Sequence, residues 1–200
     1  MATDKKKSMV AAVVLAGGAS KRMGETNKLL AEVNGATIVH QAVETAINSE
    51  AAEVIVVTGY EGDLVREALS GFDVRFVDNP NYPEGLSTSL KAGIGAVSEN
   101  HNGAVVLLGD MPMVKSATVN ALIERFHSKD DKTICRPTFD GMPGNPILWP
   151  RDFFSDILGI QGDIGAKQLI ERYSEQVSTV DVNDDGIHFD IDKPEDLNSV

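Results

Sequence analysis

The feature that most constrains the fold is an apolar run near the start of the chain that ends at two adjacent glycines. Residues 10–15 read Val-Ala-Ala-Val-Val-Leu, and Gly17 and Gly18 follow after a single alanine. A strand with one face in water alternates apolar and polar residues, whereas a continuous apolar run is typical of a strand covered on both faces. The run therefore predicts a central strand of a parallel sheet that lies between two layers of helices.

Three further apolar runs repeat this pattern, and helical spacing separates them. The runs cover residues 54–57, 74–77 and 104–108, and apolar stripes of helical period lie at 38–46, 64–69 and 86–97. Strands that alternate with helices at this spacing are typical of an α/β protein. We expect an α/β domain with a mostly parallel sheet.

The second half of the chain continues with shorter elements. Helices are predicted at about 116–128, 151–158 and 164–173, and strands near 132–136, 147–148 and 177–182, with a loop rich in Gly and Pro over 138–150. Pro194 suits the first turn of a short helix, and Asp192 is a candidate cap for it. The length predicts one domain over residues 9–200, preceded by a disordered tail at 1–8.

Charge and cysteine content exclude several classes of protein. The chain carries 18 Lys and Arg against 30 Asp and Glu, which gives a formal net charge of −12. General binding to nucleic acid or to an anionic membrane needs a positive field, so neither partner is expected. Cys135 is the single cysteine, which excludes an intrachain disulfide and a cysteine metal cluster and fits the reducing cytoplasm.

The end of the first strand is a candidate phosphate-binding site. Ligands of parallel sheets bind beyond the carboxyl ends of strands, and the adjacent glycines allow the backbone to approach a phosphate closely. Lys21, Arg22 and Lys28 then add three positive charges in an acidic protein. The spacing matches neither the dinucleotide motif nor the Walker loop. An ordinary glycine turn flanked by solvated cations is the alternative interpretation.

Three aspartates are candidate ligands of a divalent metal. Asp110 follows the fourth apolar run, so it faces the same crevice as the glycines. Asp190 and Asp192 alternate, which directs both side chains to one side of an extended segment. Carboxylates in such a crevice suit Mg²⁺ that also contacts substrate phosphates. The alternatives are an Asp110 that stabilises the turn before Pro112, and a capping Asp192 beside a solvated Asp190.

Taken in order, the motifs of the chain resemble a known family. Residues 15–18, 22–24 and 27–30 look like the N-terminal signature of the MobA-like nucleotidyltransferases. These share the Rossmann-like, GT-A-type fold of sugar-nucleotide pyrophosphorylases, so the resemblance implies a three-layer α/β domain with a mostly parallel mixed sheet. Later segments are similar to the molybdenum cofactor cytidylyltransferase branch of this family. They are residues 79–82, 84–93, 109–112, 141–146, 162–166 and 190–192. The resemblance covers about residues 9–197.

The resemblance implies a role for each matching residue. The nucleotide site comprises Leu15, Ala16, Gly17, Gly18, Lys21, Arg22, Lys28, Gly85 and Ser87, of which Lys28 and Arg22 are catalytic together with Asp110. The resemblance also implies a Mg²⁺ site at Asp110, Asp190 and Asp192. The acceptor side is implied to consist of Gly144, Asn145, Pro146, Gly162 and Asp163.

The implied reaction is Mg²⁺-dependent transfer of CMP from CTP to the terminal phosphate of molybdopterin or molybdenum cofactor, with release of pyrophosphate. A molybdenum hydroxylase or its chaperone is the implied protein partner. Gly17 stands where the cytidylyl branch usually has Ala, so GTP stays open as the nucleotide, and Asn145 and Lys193 replace a frequent His and Thr. Another phosphorylated acceptor, or a non-catalytic carrier of nucleotide or cofactor, is also compatible with these residues.

Overall fold

The computed structural model describes residues 9–18, 27–160 and 166–199, so the predicted tail at 1–8 lies outside the described residues. The strands are β1 (Met9–Ala16), β2 (Glu32–Val33), β3 (Ala36–Thr37), β4 (Glu53–Thr58), β5 (Arg75–Asp78), β6 (His101–Leu108), β7 (Ile134–Phe139), β8 (Met142–Pro143), β9 (Ile147–Pro150) and β10 (Val177–Asp181). The α-helices are α1 (Ile38–Ile47), α2 (Gly62–Ala68), α3 (Leu86–Ala96), α4 (Ser116–Ser128), α5 (Phe154–Leu158) and α6 (Lys167–Arg172). Short 3-10 turns cover Lys28–Leu30, Tyr82–Glu84, Arg151–Phe153, Ser174–Gln176, Asp185–His188 and Pro194–Ser199.

One mixed sheet organises the molecule, in the strand order β10-β7-β9-β6-β1-β4-β5, with β8 paired to β7. β1 lies in the middle and pairs in parallel with β4 and β6. β5 is parallel to β4, and β10 is parallel to β7, whereas β9 is antiparallel to both of its neighbours. The predicted Rossmann-like α/β class with a mostly parallel sheet is confirmed.

Both faces of β1 are buried, as the apolar run predicts. Alternate residues such as Ala12 and Val14 pack toward α1 and α4, while Val13 and Leu15 pack toward α3 and α5. Gly93 allows α3 to lie close to the sheet, because a Cβ there would come within 2.4 Å of Val13 Cγ1. This close packing fixes the start of α3 beside the end of β1.

Asp196 helps to organise the C-terminal turn Pro194–Ser199. Its Oδ2 accepts hydrogen bonds from the backbone N–H groups of Asp192 and Lys193 at 2.9 and 2.8 Å. The side chain of Asp192, the predicted cap, accepts a hydrogen bond from Lys28 Nζ at 3.2 Å. Within the described residues, none of the helices has the length and apolar content that crossing a bilayer requires.

Candidate active site

The pairing of β1 with β6 brings the first glycine loop next to Asp110. Leu15 and Leu108 are opposite each other in the sheet, so the chain beyond both strands leaves at one edge. The Gly109 N–H donates to the Leu15 carbonyl at 3.0 Å, and a Cβ on Gly109 would come within 2.9 Å of that same oxygen. A glycine at this position therefore lets the Asp110 turn lie directly against the end of β1.

The C-terminal segment adds two more carboxylates at this edge. The Ile191 N–H donates to the Asp110 carbonyl at 3.0 Å, and the Ile191 side chain is fully buried. Because Asp190 and Asp192 flank this buried residue, both carboxylates turn toward Asp110. One oxygen from each of the three aspartates lies within 4.8 Å of the others. The structure thus brings together the three aspartates predicted to hold the metal.

Lys28 reaches the same hollow from a different part of the chain. Its 3-10 turn is held by the Asn27 side chain, which accepts from the Leu29 N–H at 3.1 Å, and by the buried Leu29 side chain. Lys28 Nζ lies 2.7 Å from Asp110 Oδ2 and 3.2 Å from Asp192 Oδ1. The predicted cation and the predicted metal ligands therefore share one site.

The charges in this cluster perturb one another. Burial opposes the charged form of Lys28, but the Asp110 and Asp192 carboxylates outweigh it and raise the pKa of the lysine, so Lys28 is a cation at neutral pH. Burial, and then the neighbouring Asp110 and Asp192 charges, raise the pKa of Asp190. Repulsion among close carboxylates is relieved by a divalent cation. Oxygen ligands of this kind fit Mg²⁺.

Gly17 lies in a tight polar pocket beside the start of α3. A Cβ at Gly17 would come within 3.0 Å of Ser89 Oγ and 3.4 Å of the Gly59 nitrogen. Asn79 Nδ2 holds that hydroxyl by donating to Ser89 Oγ at 3.0 Å, and it also donates to Thr88 Oγ1 at 2.9 Å. The small residue at this position is thus explained by the packing of the protein itself.

Gly85 and Ser87, predicted to contact the base, lie at the beginning of α3. Gly85 is the N-cap, with a φ of +113° that disfavours other residues, and Ser87 is buried in the first turn. Ser89 belongs to the same predicted region, whereas no motif of the sequence singles out Asn79 as a member of this pocket. The position of Asn79, directly after β5 and on the same edge of the sheet as Asp110, is the signal that would have found it.

The predicted acceptor loop packs against the segment that carries the metal ligands. Gly144 has no room for a side chain, since a Cβ would come within 2.4 Å of the Ile187 carbonyl oxygen. The Asn145 N–H donates to that same oxygen at 3.0 Å. The segment at Ile187 runs on directly to Asp190. Lys21, Arg22, Gly162 and Asp163 lie outside the described residues.

A mostly parallel α/β sheet, with two glycines after its central strand and acidic residues at the same edge, is the Rossmann-like fold of the nucleotidyltransferases. The profile described as "MobA-like NTP transferase domain" matches residues 12–177. The chain belongs to this family.

Relatives cover almost the whole chain. The molybdenum cofactor cytidylyltransferase of Escherichia coli (strain K12) is 28% identical over 95% of this chain and 94% of its own length. The nicotine blue oxidoreductase of Paenarthrobacter nicotinovorans is 26% identical over 94% of each chain. Among solved structures, a homologue of a Mycobacterium tuberculosis protein from Mycobacterium sp. strain JC1 superposes with a TM-score of 0.83. It is 29% identical over 95% of this chain and 93% of its own.

Proposed function

We propose that this protein is a Mg²⁺-dependent nucleotidyltransferase that transfers CMP from CTP to the terminal phosphate of molybdopterin or molybdenum cofactor. The observation that carries the proposal is the placement of Lys28 between Asp110 and Asp192 at the carboxyl edge of the sheet. This is the arrangement that a transferring phosphoryl group requires, because its negative charge needs a cation and a seat for a divalent metal. The similarity to the E. coli relative supports the choice of CTP and of the acceptor.

In the proposed reaction, an oxygen of the acceptor phosphate forms a bond to the α-phosphorus of CTP. The bond from the α-phosphorus to the bridging oxygen breaks, and pyrophosphate leaves with the electron pair. A phosphate monoester is largely ionised at neutral pH, so no side chain is required to remove a proton. The work of the protein is to position the reactants and to neutralise their charge.

Each residue of the cluster has a proposed part in this work. Lys28 stabilises the charge on the α-phosphate, while Lys21 and Arg22 hold the outer phosphates. Asp110, Asp190 and Asp192 would hold Mg²⁺, which when bound supplies further neutralisation of phosphate charge. Leu15, Ala16, Gly17 and Gly18 flank the base and ribose in this proposal, with Gly85 and Ser87 on the far side.

The proposal extends to the partner and the compartment. The product would pass to a molybdenum hydroxylase or its chaperone, and the protein would work in the cytoplasm as a single domain over residues 9–200. The resemblance supports the partner, the single cysteine supports the compartment, and the chain length supports the single domain.

Pyrophosphate release with each of the four ribonucleoside triphosphates, in the presence of molybdenum cofactor and Mg²⁺, tests the proposal. CTP is expected to give the highest kcat/KM, and omission of Mg²⁺ is expected to stop turnover. Higher turnover with GTP would assign a guanylyltransferase instead. Binding of CTP without pyrophosphate release would assign a carrier and overturn the proposal.

Asp110→Asn is the variant that tests the site itself. Loss of a charge-stabilising group of this kind typically costs about 10²–10³-fold in rate, and we expect at least that loss here. Asp152→Asn is the matched control, because Asp152 is an exposed aspartate in the turn Arg151–Phe153. This turn follows β9, whose end pairs with the start of β6, whereas Asp110 follows the end of β6. Circular dichroism checks that both variants fold. Full activity of Asp110→Asn would show that the reaction does not depend on this cluster.

A further inference from the structure

A cavity opens beside the proposed catalytic cluster, on the face of the sheet that α3 and α5 cover. Its volume is about 320 Å³, within the range of about 300–1,000 Å³ that small-molecule sites occupy. Its apolar wall includes Leu15, Leu90, Val106, Ile147 and Trp149. Leu108 also lines it, two residues before Asp110, so the cavity and the cluster are neighbours at one edge of the sheet.

One side of this cavity is polar, and two of its polar groups have unused hydrogen-bonding capacity. Arg136 lines the cavity and donates from Nε to the Gly144 carbonyl at 3.0 Å, which fixes the plane of its guanidinium. Within the described part of the chain, this guanidinium forms no ion pair and no second hydrogen bond. Asn145 also lines the cavity, and within the described residues its side-chain amide has no hydrogen-bond partner.

Lys167 and Glu171 also line the cavity, and the pairing of Arg136 with Asn145 beside an apolar wall favours one class of ligand. A flat aromatic ring system would pack well against the apolar wall, which includes the indole of Trp149. The guanidinium and the amide can donate hydrogen bonds to a ring carbonyl, and the amide oxygen can accept from a ring N–H beside it. A carbonyl next to an N–H is the lactam edge of an oxo-substituted fused heterocycle. Burial lowers the pKa of Arg136, and a bound carbonyl would restore the hydrogen bonds that its half-buried guanidinium has lost to desolvation.

We propose that Arg136 is the specificity-determining residue for the acceptor, and that it recognises the ring carbonyl of a pterin seated in this cavity, with Asn145 beside it. The proposal rests on the proposed function, because the acceptor phosphate must reach the neighbouring cluster. The motifs of the sequence do not single out Arg136. In this arrangement the heterocycle packs against the apolar wall that includes Trp149.

Trp149 provides a readout that does not depend on catalysis. It is the only tryptophan in the chain and it lines the cavity. We expect pterin to quench its fluorescence, after correction for absorption by the ligand. The analogue 2,4-diaminopteridine, in which an amino group replaces the ring carbonyl, is expected to bind at least about tenfold more weakly, because a charge-assisted hydrogen bond is lost. Trp149→Phe is the blank for the signal.

Arg136→Met is expected to bind both probes with equal, weak affinity, whereas the wild-type protein discriminates between them. Arg136→Lys keeps the charge but not the planar guanidinium, so it is expected to discriminate between the two probes less than the wild-type protein does. This variant replaces Arg136→Met in the test if the latter fails to fold. Arg125→Met is the matched control, because Arg125 lies on α4, which packs against the opposite face of the sheet. Discrimination that persists in Arg136→Met would overturn the proposal. Tighter binding of xanthine than of pterin would also overturn it, in favour of a purine.

The transfer assay separates this inference from the proposed function. In that assay, Arg136→Met is expected to raise the KM for the acceptor at least about tenfold and to leave the KM for the nucleotide unchanged. Pyrophosphate release with an unchanged acceptor KM would refute the role of Arg136 while the proposed function stands. Probe discrimination in the wild-type protein without any pyrophosphate release would refute the proposed function while the cavity assignment stands.

Discussion

At the scale of single residues, the glycine at position 17 is explained by the packing of its neighbours. The same position differs between the cytidylyl and guanylyl branches, so it could be taken to indicate the choice of nucleotide. The cytidylyl branch usually has alanine here, yet the Ser89 hydroxyl, held by Asn79, lies only 3.0 Å from the position that a methyl group would take. Gly17 and Ser89 are therefore coupled. The identity of residue 17 alone is a poor guide to the choice between CTP and GTP.

We predict that Gly17→Ala destabilises the wild-type protein by about 1–2 kcal/mol, the usual cost of a small overpacking. In a Ser89→Ala background the same substitution is expected to cost less than about half of that, because the nearest obstructing atom is gone. Urea unfolding of the four proteins of this double-mutant cycle measures the coupling free energy. An equal cost in both backgrounds would show that Ser89 is not the obstacle.

Asp190 gives the site a predicted dependence on pH. Burial, and then the charges of Asp110 and Asp192, raise its pKa. The folded protein therefore binds this proton more tightly than the unfolded chain does. In the metal-free protein, the stability that the protonated group contributes is present below the unfolded pKa and is lost as pH rises through the folded pKa.

Metal binding is expected to show the opposite trend, because a metal requires the ionised carboxylate. We predict that the Mg²⁺ affinity measured by calorimetry falls on acidification at a higher pH than an ordinary aspartate would give. Asp190→Asn is expected to weaken Mg²⁺ binding at neutral pH. In this variant, the fall of Mg²⁺ affinity on acidification is expected at a lower pH than in the wild-type protein. Identical profiles for the two proteins would show that Asp190 does not titrate with metal binding.

At the scale of elements, α4 depends on a residue far away in the sequence. Asp184 is 2% exposed, and its Oδ2 accepts from the Lys115 N–H at 2.9 Å and from the Thr118 hydroxyl at the start of the helix. Its Oδ1 accepts from the Gly186 N–H at 3.2 Å. This side chain thus caps α4 and shapes the turn that leads to Asp190.

We predict that Asp184→Ala lowers the free energy of unfolding by about 2–4 kcal/mol, because it leaves several buried donors without an acceptor. Asp185→Ala is the matched control, since Asp185 is the next residue and is exposed. The control is expected to change stability by less than about 0.5 kcal/mol. Chemical denaturation measures both variants, and similar losses in the two would contradict the capping role.

The elements also show where prediction from sequence succeeds. The central strands and α4 were predictable because burial on two faces, or on one helical face, leaves a periodic local pattern. The partner of the Asp192 side chain was not, because the rule for residues before a proline considers only nearby residues. Lys28, which donates to Asp192, lies 164 positions away. Sequence therefore placed the strand ends well and the partners of individual polar groups poorly.

In the candidate site, too, backbone positions were predictable from the sequence and the partners of polar side chains were not. The convergence of Asp110, Asp190 and Asp192 was predictable because the rule for strand ends and the alternation of an extended chain both concern the backbone. Arg136 and Asn79 were missed because their positions beside the site depend on which strands become neighbours. β7 reaches the cavity through its pairing with β9, which is an antiparallel insertion in the sheet that no local pattern predicts.

At the scale of the whole molecule, the two helical layers depend on one sheet. Cys135 on β7 is fully buried in the same core cluster as Val14 of β1 and Phe126 of α4. Exposure of its thiol requires the α4 layer to separate from the sheet. As the single cysteine of the chain, it reports on the opening of that core without any engineered label.

Burial raises the pKa of the Cys135 thiol to about 12, and alkylation requires both the thiolate and access to it. We predict that iodoacetamide modifies the native protein at pH 8 at least about 10³-fold more slowly than it modifies the protein in urea, since domains of this kind are stable by about 5–15 kcal/mol. The rate is expected to rise with urea in parallel with global unfolding followed by circular dichroism. Cys135→Ala gives the background of the assay. Rapid modification without urea would show that β7 opens separately from the rest of the sheet, and the single core would then be two independent units.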